Sequence, residues 1–424
     1  MCHLPRPEAV VTIRTLFPLA LLLSGGAVNC PAQSTAQPLN GSFRPGEIWS
    51  DDKGVHINAH GGGILFHEGT YYWFGEHKIQ GTAGNFAHVG VHVYSSKDLT
   101  NWKDDGIAFE VSEDPKHEIR KGCVLERPKV LFNPKTGKFV MWFHYEANGR
   151  YGSAECAVAV ADRVTGPYRF VEKIRPNAGF WPMNVPESEK RLLSPEEKAA
   201  LAPMRFNGGP DTMRAGFLIL RAHFPGGQMA RDMSAFVDDD GTAYLIYASE
   251  HNGTLQLSQL DDTYTKHIGK YIRIEPMGLN ESPALFKHAG RYYLITSRCN
   301  GWAPSDARLF TAPSIWGPWE LLGNPCVGPE DRTRVTFESQ STHVLPVQGK
   351  KDAFIFMADR WNPKNAIDGR YIWLPLRFDK AGKPFLEWKE VWDLSVFDAT
   401  EKAASNRGDL TPSKAEPGGK PMPH

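Results

Sequence analysis

Five times along the chain a short apolar, strand-forming run reaches a glycine-containing turn and is followed by a second, aromatic-rich run. The segments are GGILFHEGTYYWFGE, PKVLFNPKTGKFVMWFH, SAFVDDDGTAYLIYAS, PALFKHAGRYYLITS and THVLPVQGKKDAFIFMAD. Turn residues between β-formers predict hairpins, marked here by Gly69, Gly137, Gly241, Gly290 and Gly349. Each hairpin is followed by further strand-like sequence, such as VHVYSSKDLTNWKDDG after the first and RYIWLPLRFDKAGKPFLEW after the fifth. Every repeat therefore predicts a four-stranded antiparallel sheet. Five such sheets with almost no helix predict an all-β fold, a five-bladed β-propeller whose blades pack radially. A β-sandwich followed by a second β domain is the structural alternative. The widest gap between marker glycines, from Gly137 to Gly241, predicts a long insertion between blades two and three, roughly Glu172 to Gly227. It contains one helical segment, LLSPEEKAALAPM, with Ser194 as N-cap before Pro195. Such an insertion is expected at the rim, shaping one side of a pocket.

The chain ends lack this pattern. Arg6 and Arg14 precede an apolar run, Leu16 to Leu23, too short to span a bilayer, with a cleavage point after Ala32. Residues 1–32 read as an export signal, 33–45 as a flexible linker, 46–396 as the propeller and 397–424 as a disordered tail. The mature protein is expected to be periplasmic or extracellular. Lipid anchoring through Cys30 is the lesser reading, because Ala27-Val28-Asn29 is a poor lipidation context. Four cysteines remain after cleavage (Cys123, Cys156, Cys299, Cys326), enough for two disulfides in three connectivities. None has CxxC spacing.

The 48 basic and 48 acidic side chains cancel, which argues against nucleic acid or an anionic membrane as partner. With 12 Trp and 13 Tyr, flat apolar faces are plentiful for strand packing and for stacking on sugar rings. The expected partner is an oligosaccharide or polysaccharide, and the chain is read as a monomer without a membrane span.

A propeller gathers the starts of its innermost strands around an axis, and each repeat carries polar residues there. These are Asn58, His60 and Gly61-Gly62-Gly63; Glu126-Arg127; Arg231-Asp232; Glu281; and Glu338 with Gln340. Capping and pairing with arginine account for any one of them less strangely than for the set. On these motifs the chain resembles glycoside hydrolase family 43, inverting five-bladed propeller enzymes, from about Trp49 to Leu394. The resemblance implies Glu281, in NESPALF, as general acid and Asp232, in RDMSAFV, as the group that tunes it. Inverting hydrolysis needs an acid beside the glycosidic oxygen and a base roughly 6.5–9.5 Å away across a water. A carboxylate neighbour such as Asp232 would raise the proton affinity of Glu281. The family's usual base, an Asp in blade one, is missing, since Gly61 in INAHGGGILF holds that place. Asp51 and Asp52 are off register and read as turn residues.

The exo-β-1,3-galactanase branch shares this absence, and the sequence is similar to it in AHGGG, in LERPKV with Glu126 and in ESQSTHVL with Gln340. On that likeness Gln340 handles the attacking water, and Glu126 binds a sugar hydroxyl or shares the base role. A neutral amide is a weak base, so the residues themselves favour Glu126 or a water relay. His60, Gly61, Arg127, Arg231, Trp302 and Arg360 are candidate substrate-binding residues, and Trp361 is for stacking or packing. No cofactor is required. An axial calcium ion near His343 is compatible with the fold but unsupported by sequence. The expected reaction is release of galactose from β-1,3-galactan or arabinogalactan. The alternatives are an α-L-arabinofuranosidase (or related β-xylosidase or galactofuranosidase) of the same fold and a non-catalytic carbohydrate-binding propeller.

Overall fold

The hairpin glycines turn where the pattern places them: Gly69 and Gly241 have φ of 72° and 80°, conformations that side chains disfavour. Around these turns the computed structural model, which describes residues 41–204 and 215–398, folds into five consecutive sheets. Blade one is β1 (His60–His67), β2 (Thr70–His77), β3 (Gly90–Ser96) and β4 (Lys103–Glu110); blade two is β5 (Val124–Asn133), β6 (Lys138–Glu146), β7 (Glu155–Ala161) and β8 (Arg169–Ile174). Blade three is β9 (Met233–Val237), β10 (Ala243–Ser249), β11 (Thr254–Leu260) and β12 (His267–Ile274). Blade four is β13 (Asn280–His288), β14 (Arg291–Arg298), β15 (Ala307–Ala312) and β16 (Glu320–Gly323). Blade five departs from the expected four strands. A two-residue strand, β17 (Cys326–Val327), runs parallel to β21 (Pro384–Glu387), outside β18 (Gln340–Pro346), β19 (Phe354–Arg360) and β20 (Arg370–Phe378).

Five separate apolar cores fill the seams, one between each pair of neighbouring blades. The innermost strands touch in the order β1, β5, β9, β13, β18 and back to β1, so the ring closes. The closing seam is the most aromatic, with Trp49, Trp73 and Trp102 of the first repeat packed on Trp373 and Trp392 of the last. Phe43 joins it, fully buried, stacked on Trp392 at 4.2 Å and exchanging two backbone hydrogen bonds with it. The propeller thus begins before residue 46, and 41–45 belong to it rather than to a linker. Phe397 is likewise buried in this seam, one residue past the expected boundary. The export signal with Cys30, residues 33–40 of the linker and residues 399–424 lie outside the described residues.

Ser194 does cap helix α1 (Pro195–Leu201): its hydroxyl accepts from Glu197 N at 3.2 Å while the Glu197 carboxylate accepts from Ser194 N at 2.9 Å. A second helix, α2 (Phe217–His223), was not evident in the sequence. The insertion is tied to β12, the outermost strand of blade three, through Met183 N to Tyr271 O at 2.8 Å and Asn184 to Arg273 O at 2.7 Å. Held at that distance from the axis, none of its described residues lines the central pocket, contrary to expectation. All four described cysteines are free thiols, so no disulfide braces these blades. No helix among the described residues is long and apolar enough to cross a membrane.

Candidate active site

Four of the five innermost strands break register at their mouths: between His60 and Gly63, Glu126 and Lys129, Glu281 and Ala284, and Ser341 and His343. At the first three breaks one residue adopts positive φ, namely Gly61 (60°), Arg127 (57°) and Ser282 (54°). Each break is a β-bulge, which unpairs a residue and re-aims its neighbours. Pro128 and Pro283 follow directly, where a missing N–H loses no ladder bond. The bulges turn Glu126, Arg127 and Glu281 toward the axis. There they line a pocket of about 220 Å³ with Glu76, His144, Tyr151, Arg231, Asp232, Asn252, Trp302, Gln340 and Trp361.

Glu281 has the character of an acid. Burial, and then the charge of Asp232, raise its pKa to about 8, so it holds its proton at neutral pH. The neighbouring carboxylate does raise it, as the second cause after burial. Asn252 Nδ2 donates to Glu281 Oε1 at 2.6 Å, leaving the other oxygen for the proton that is transferred. Asn252 ends a run of three left-handed residues, Glu250, His251 and Asn252, held by the buried pair of Glu250 with Arg273 (2.6 and 2.8 Å). Asp232 stays ionised, its pKa lowered by Arg127 at 2.9 Å and by Ser282 Oγ, which donates at 2.6 Å, against the opposing effect of burial. Asp232→Asn is expected to move the alkaline limb of kcat/KM from near pH 8 to lower pH, because the repulsion that holds the proton on Glu281 is gone. An unmoved limb would remove Asp232 from the tuning role.

The floor is Arg127, whose guanidinium also donates to Gln340 Oε1 (2.6 Å) and Ser341 O (3.2 Å) and lies 5.2 Å from the Trp361 ring. Gln340 is held at both ends of its amide: Oε1 also accepts from Trp361 Nε1 at 2.9 Å, and Nε2 donates to Ser297 Oγ at 3.0 Å. Opposite, a β-carbon at Gly61 would collide with Glu76 Oε1. The side chain missing from position 61 is thus replaced in space by a carboxylate from β2. Glu76 accepts from Arg127 N at 3.0 Å and pairs with Lys78 at 2.6 Å, and its burial raises its pKa.

Residues 218–391 match the family described as Glycosyl hydrolases family 43. A solved GH43 β-1,3-galactosidase with galactodeoxynojirimycin is 50% identical, the match covering 83% of this chain and 100% of that one at a TM-score of 0.77. The chain belongs to glycoside hydrolase family 43. An exo-β-1,3-galactanase from Phanerochaete chrysosporium, solved with β-1,3-galactotriose, is 32% identical over 84% of this chain and 68% of its own, at a TM-score of 0.66. One from Clostridium thermocellum is 31% identical over 83% and 66%, also at 0.66. A search among curated proteins returned no match. As a member of this family the protein is a glycoside hydrolase.

Within this family 43 site, Glu281, Asp232, Gln340, Glu126, Arg127, Arg231 and Trp302 line one pocket. Three candidates do not reach it. His60 is fully buried, stacked on Tyr371 at 5.3 Å and 3.5 Å from Asp359, where it packs the closing seam. Gly61 donates its N–H to Asp359 at 3.2 Å beneath the pocket wall. Arg360 turns behind Trp361 to Phe337 O (2.9 Å) and the Glu338 carboxylate (3.1 Å), bracing the turn into β18. Glu76, His144, Tyr151 and Asn252 were missed. Glu76 and His144 were signalled by polar residues closing otherwise apolar second strands, YYWFGEH and VMWFHYE, whereas Tyr151 and Asn252 lie in the loops that follow second strands and carry no such signal.

A divalent cation does not fit these residues. Glu126, His144 and Asp232 bring ligand atoms within 4.8 Å of one another, but both His144 nitrogens already face carboxylates. At the axis, the buried Lys129 amine donates to Gly61 O (3.0 Å) and Arg127 O (3.3 Å) beside His343, a donor where a metal would need acceptors.

Proposed function

We propose that the protein is an exported, inverting, exo-acting β-1,3-galactosidase that removes single galactose units from the ends of β-1,3-galactan or arabinogalactan. The observation that carries this reading is a one-ring pocket in which a protonated Glu281 lies across the ring of blades from Glu76, with no side chain at position 61. At about 220 Å³ it lies below the ~300–1,000 Å³ of drug-sized ligand sites, which favours a terminal sugar over a stretch of polymer. The galactose-type ligands of the similar solved enzymes support the sugar.

In this mechanism Glu281 gives its proton to the glycosidic oxygen as the C1–O bond breaks. Water adds to C1 from the opposite face and loses a proton to a base. Glu126 is a poor base, because His144 holds its pKa down against the effect of burial. Gln340 is neutral, and its carbonyl already accepts from Arg127 and Trp361. Glu76, whose proton affinity burial raises, takes the proton, and Gln340 orients the water. Trp302, 40% exposed and edge-on to Trp361 at 5.8 Å, offers a face to the next sugar.

The test is incubation of the purified protein with β-1,3-galactobiose and arabinogalactan, followed by proton NMR. Galactose released first as the α-anomer is expected. Release of arabinose would favour the arabinofuranosidase reading, and β-galactose would overturn inversion. Glu76→Gln is expected to lower kcat by roughly 10²- to 10⁴-fold, the range for a general base. A smaller loss than in Gln340→Ala would return the base role to the amide.

A further inference from the structure

Beneath Glu126 a row of alternating charge runs away from the pocket. His144 stands directly opposite Glu126 in the β5–β6 register, and Glu146, two residues on, shares its face of β6. His144 Nδ1 faces Glu126 Oε2 at 3.0 Å and Nε2 faces Glu146 Oε1 at 3.1 Å, and Arg231 Nε lies 3.5 Å from the same Glu146 oxygen. The second Glu146 oxygen accepts from Gly152 N (2.7 Å), Ala154 N (2.9 Å) and Ser153 Oγ (3.1 Å). These donors belong to the β6–β7 loop, whose Tyr151 hydroxyl donates back to Glu126 Oε1 at 2.6 Å. Glu146 therefore holds both groups that orient Glu126, one through the strand and one through the loop.

We propose that His144 and Glu146 are positioning residues that fix Glu126 as an anionic acceptor for hydroxyls of the terminal sugar, and so set recognition of the sugar rather than the rate of bond breaking. Each oxygen of Glu126 receives one protein donor, leaving further acceptor capacity directed at the pocket and no proton to give. Sugar hydroxyls can meet it only as donors. A buried carboxylate–imidazole–carboxylate row is costlier than an apolar core, so packing alone does not account for it. Carboxylates on both sides raise the His144 pKa to about 9, outweighing burial, and the resulting imidazolium in turn lowers that of Glu126. The other charged or titratable groups around Glu126 are Lys78 and Glu76 from blade one, Arg127 from its own strand, Asp232 and Arg231 from blade three, and Tyr151.

This inference rests on the proposed hydrolysis of a terminal galactoside, and its test separates the two. His144→Gln keeps a hydrogen-bonding side chain but loses the charge. KM is expected to rise roughly 10- to 100-fold, the range of one hydrogen bond to a charged group, with kcat within a few-fold of the parent. The rise is expected to be steeper at acid pH, because Glu126, without the imidazolium and beside Asp232 and Glu76, takes up a proton as pH falls. Tyr151→Phe should raise KM without that added pH dependence. A fall in kcat at unchanged KM, or a KM whose pH profile matches the parent, would overturn the proposal. If His144→Gln does not fold, Glu146→Gln with NMR of the His144 ring decides. In the parent enzyme the ring should stay protonated through pH 8, and in Glu146→Gln it should titrate lower. A ring that titrates at or below the ordinary histidine value in the parent overturns the proposal whether or not galactosides are the substrate.

Discussion

Glu281→Gln is expected to lower kcat on β-1,3-galactobiose by roughly 10²- to 10⁴-fold with little change in KM, since an isosteric amide fills the same space but has no proton to transfer. The loss should shrink on an aryl galactoside, whose leaving group departs without protonation. Equal losses on both substrates would show that Glu281 does not act as the acid. The same substitution has a consequence for stability. Because burial and Asp232 hold the folded-state pKa of Glu281 near 8, above that of a free glutamate, its contribution is fully present at low pH. It is lost as pH rises from the ordinary glutamate range through about 8. Gln carries no such dependence, so Glu281→Gln should be more resistant to denaturant than the parent at pH 9 and similar to it at pH 4.

Arg127→Met is expected to destabilise the protein by about 3–5 kcal/mol, the range for removing one partner of a buried ion pair, and to abolish activity. Arg127 is 4% exposed and is the cation against which Asp232 is held. Without it Asp232 is left buried and uncompensated, Gln340 loses one of the two donors to its carbonyl, and Ser341 O loses its partner. Asp232 should then take up a proton, relieving the repulsion on Glu281 and lowering the pH of the alkaline limb in any residual activity. Arg127→Lys should recover part of the stability and little of the activity, since one ammonium cannot span Asp232, Ser282 and Gln340 as the guanidinium does. Urea denaturation and kcat/KM of both variants check this, and a fully active Arg127→Met would dismiss the floor as described.

The frame was readable because it repeats. Glycine turns between alternating strand-formers recur with enough regularity to count blades, and the acid stands two residues before a proline at a blade mouth. What could not be read is which way each mouth residue faces. Across a bulge the two-residue alternation of a strand is lost, so His60, at the β1 break, packs into the closing seam, while Arg360, at the end of the regularly paired β19, turns back to the chain entering β18. Glu76 escaped notice for the complementary reason. It lies on a second strand, and only the collision of its carboxylate with the space above Gly61 connects it to the absent base. The insertion's helix cap was local and legible, whereas its attachment to β12 depended on contacts distant in sequence.

The bulged mouths also separate two demands on the same strands. Past Gly63, Lys129, Ala284 and His343 the pairing runs without interruption to the hairpin turns, and the seam cores are built from those regular stretches. Residues 60–62, 126–128 and 281–283 lie on the other side of the break. Of these, Glu126 and Glu281 face the pocket from outside the regularly paired stretches, so an exchange at either alters the chemistry of the pocket while leaving the seam cores untouched, whereas Gly61 and Gly62 have no room for a side chain and Arg127 carries the buried pairing of the floor.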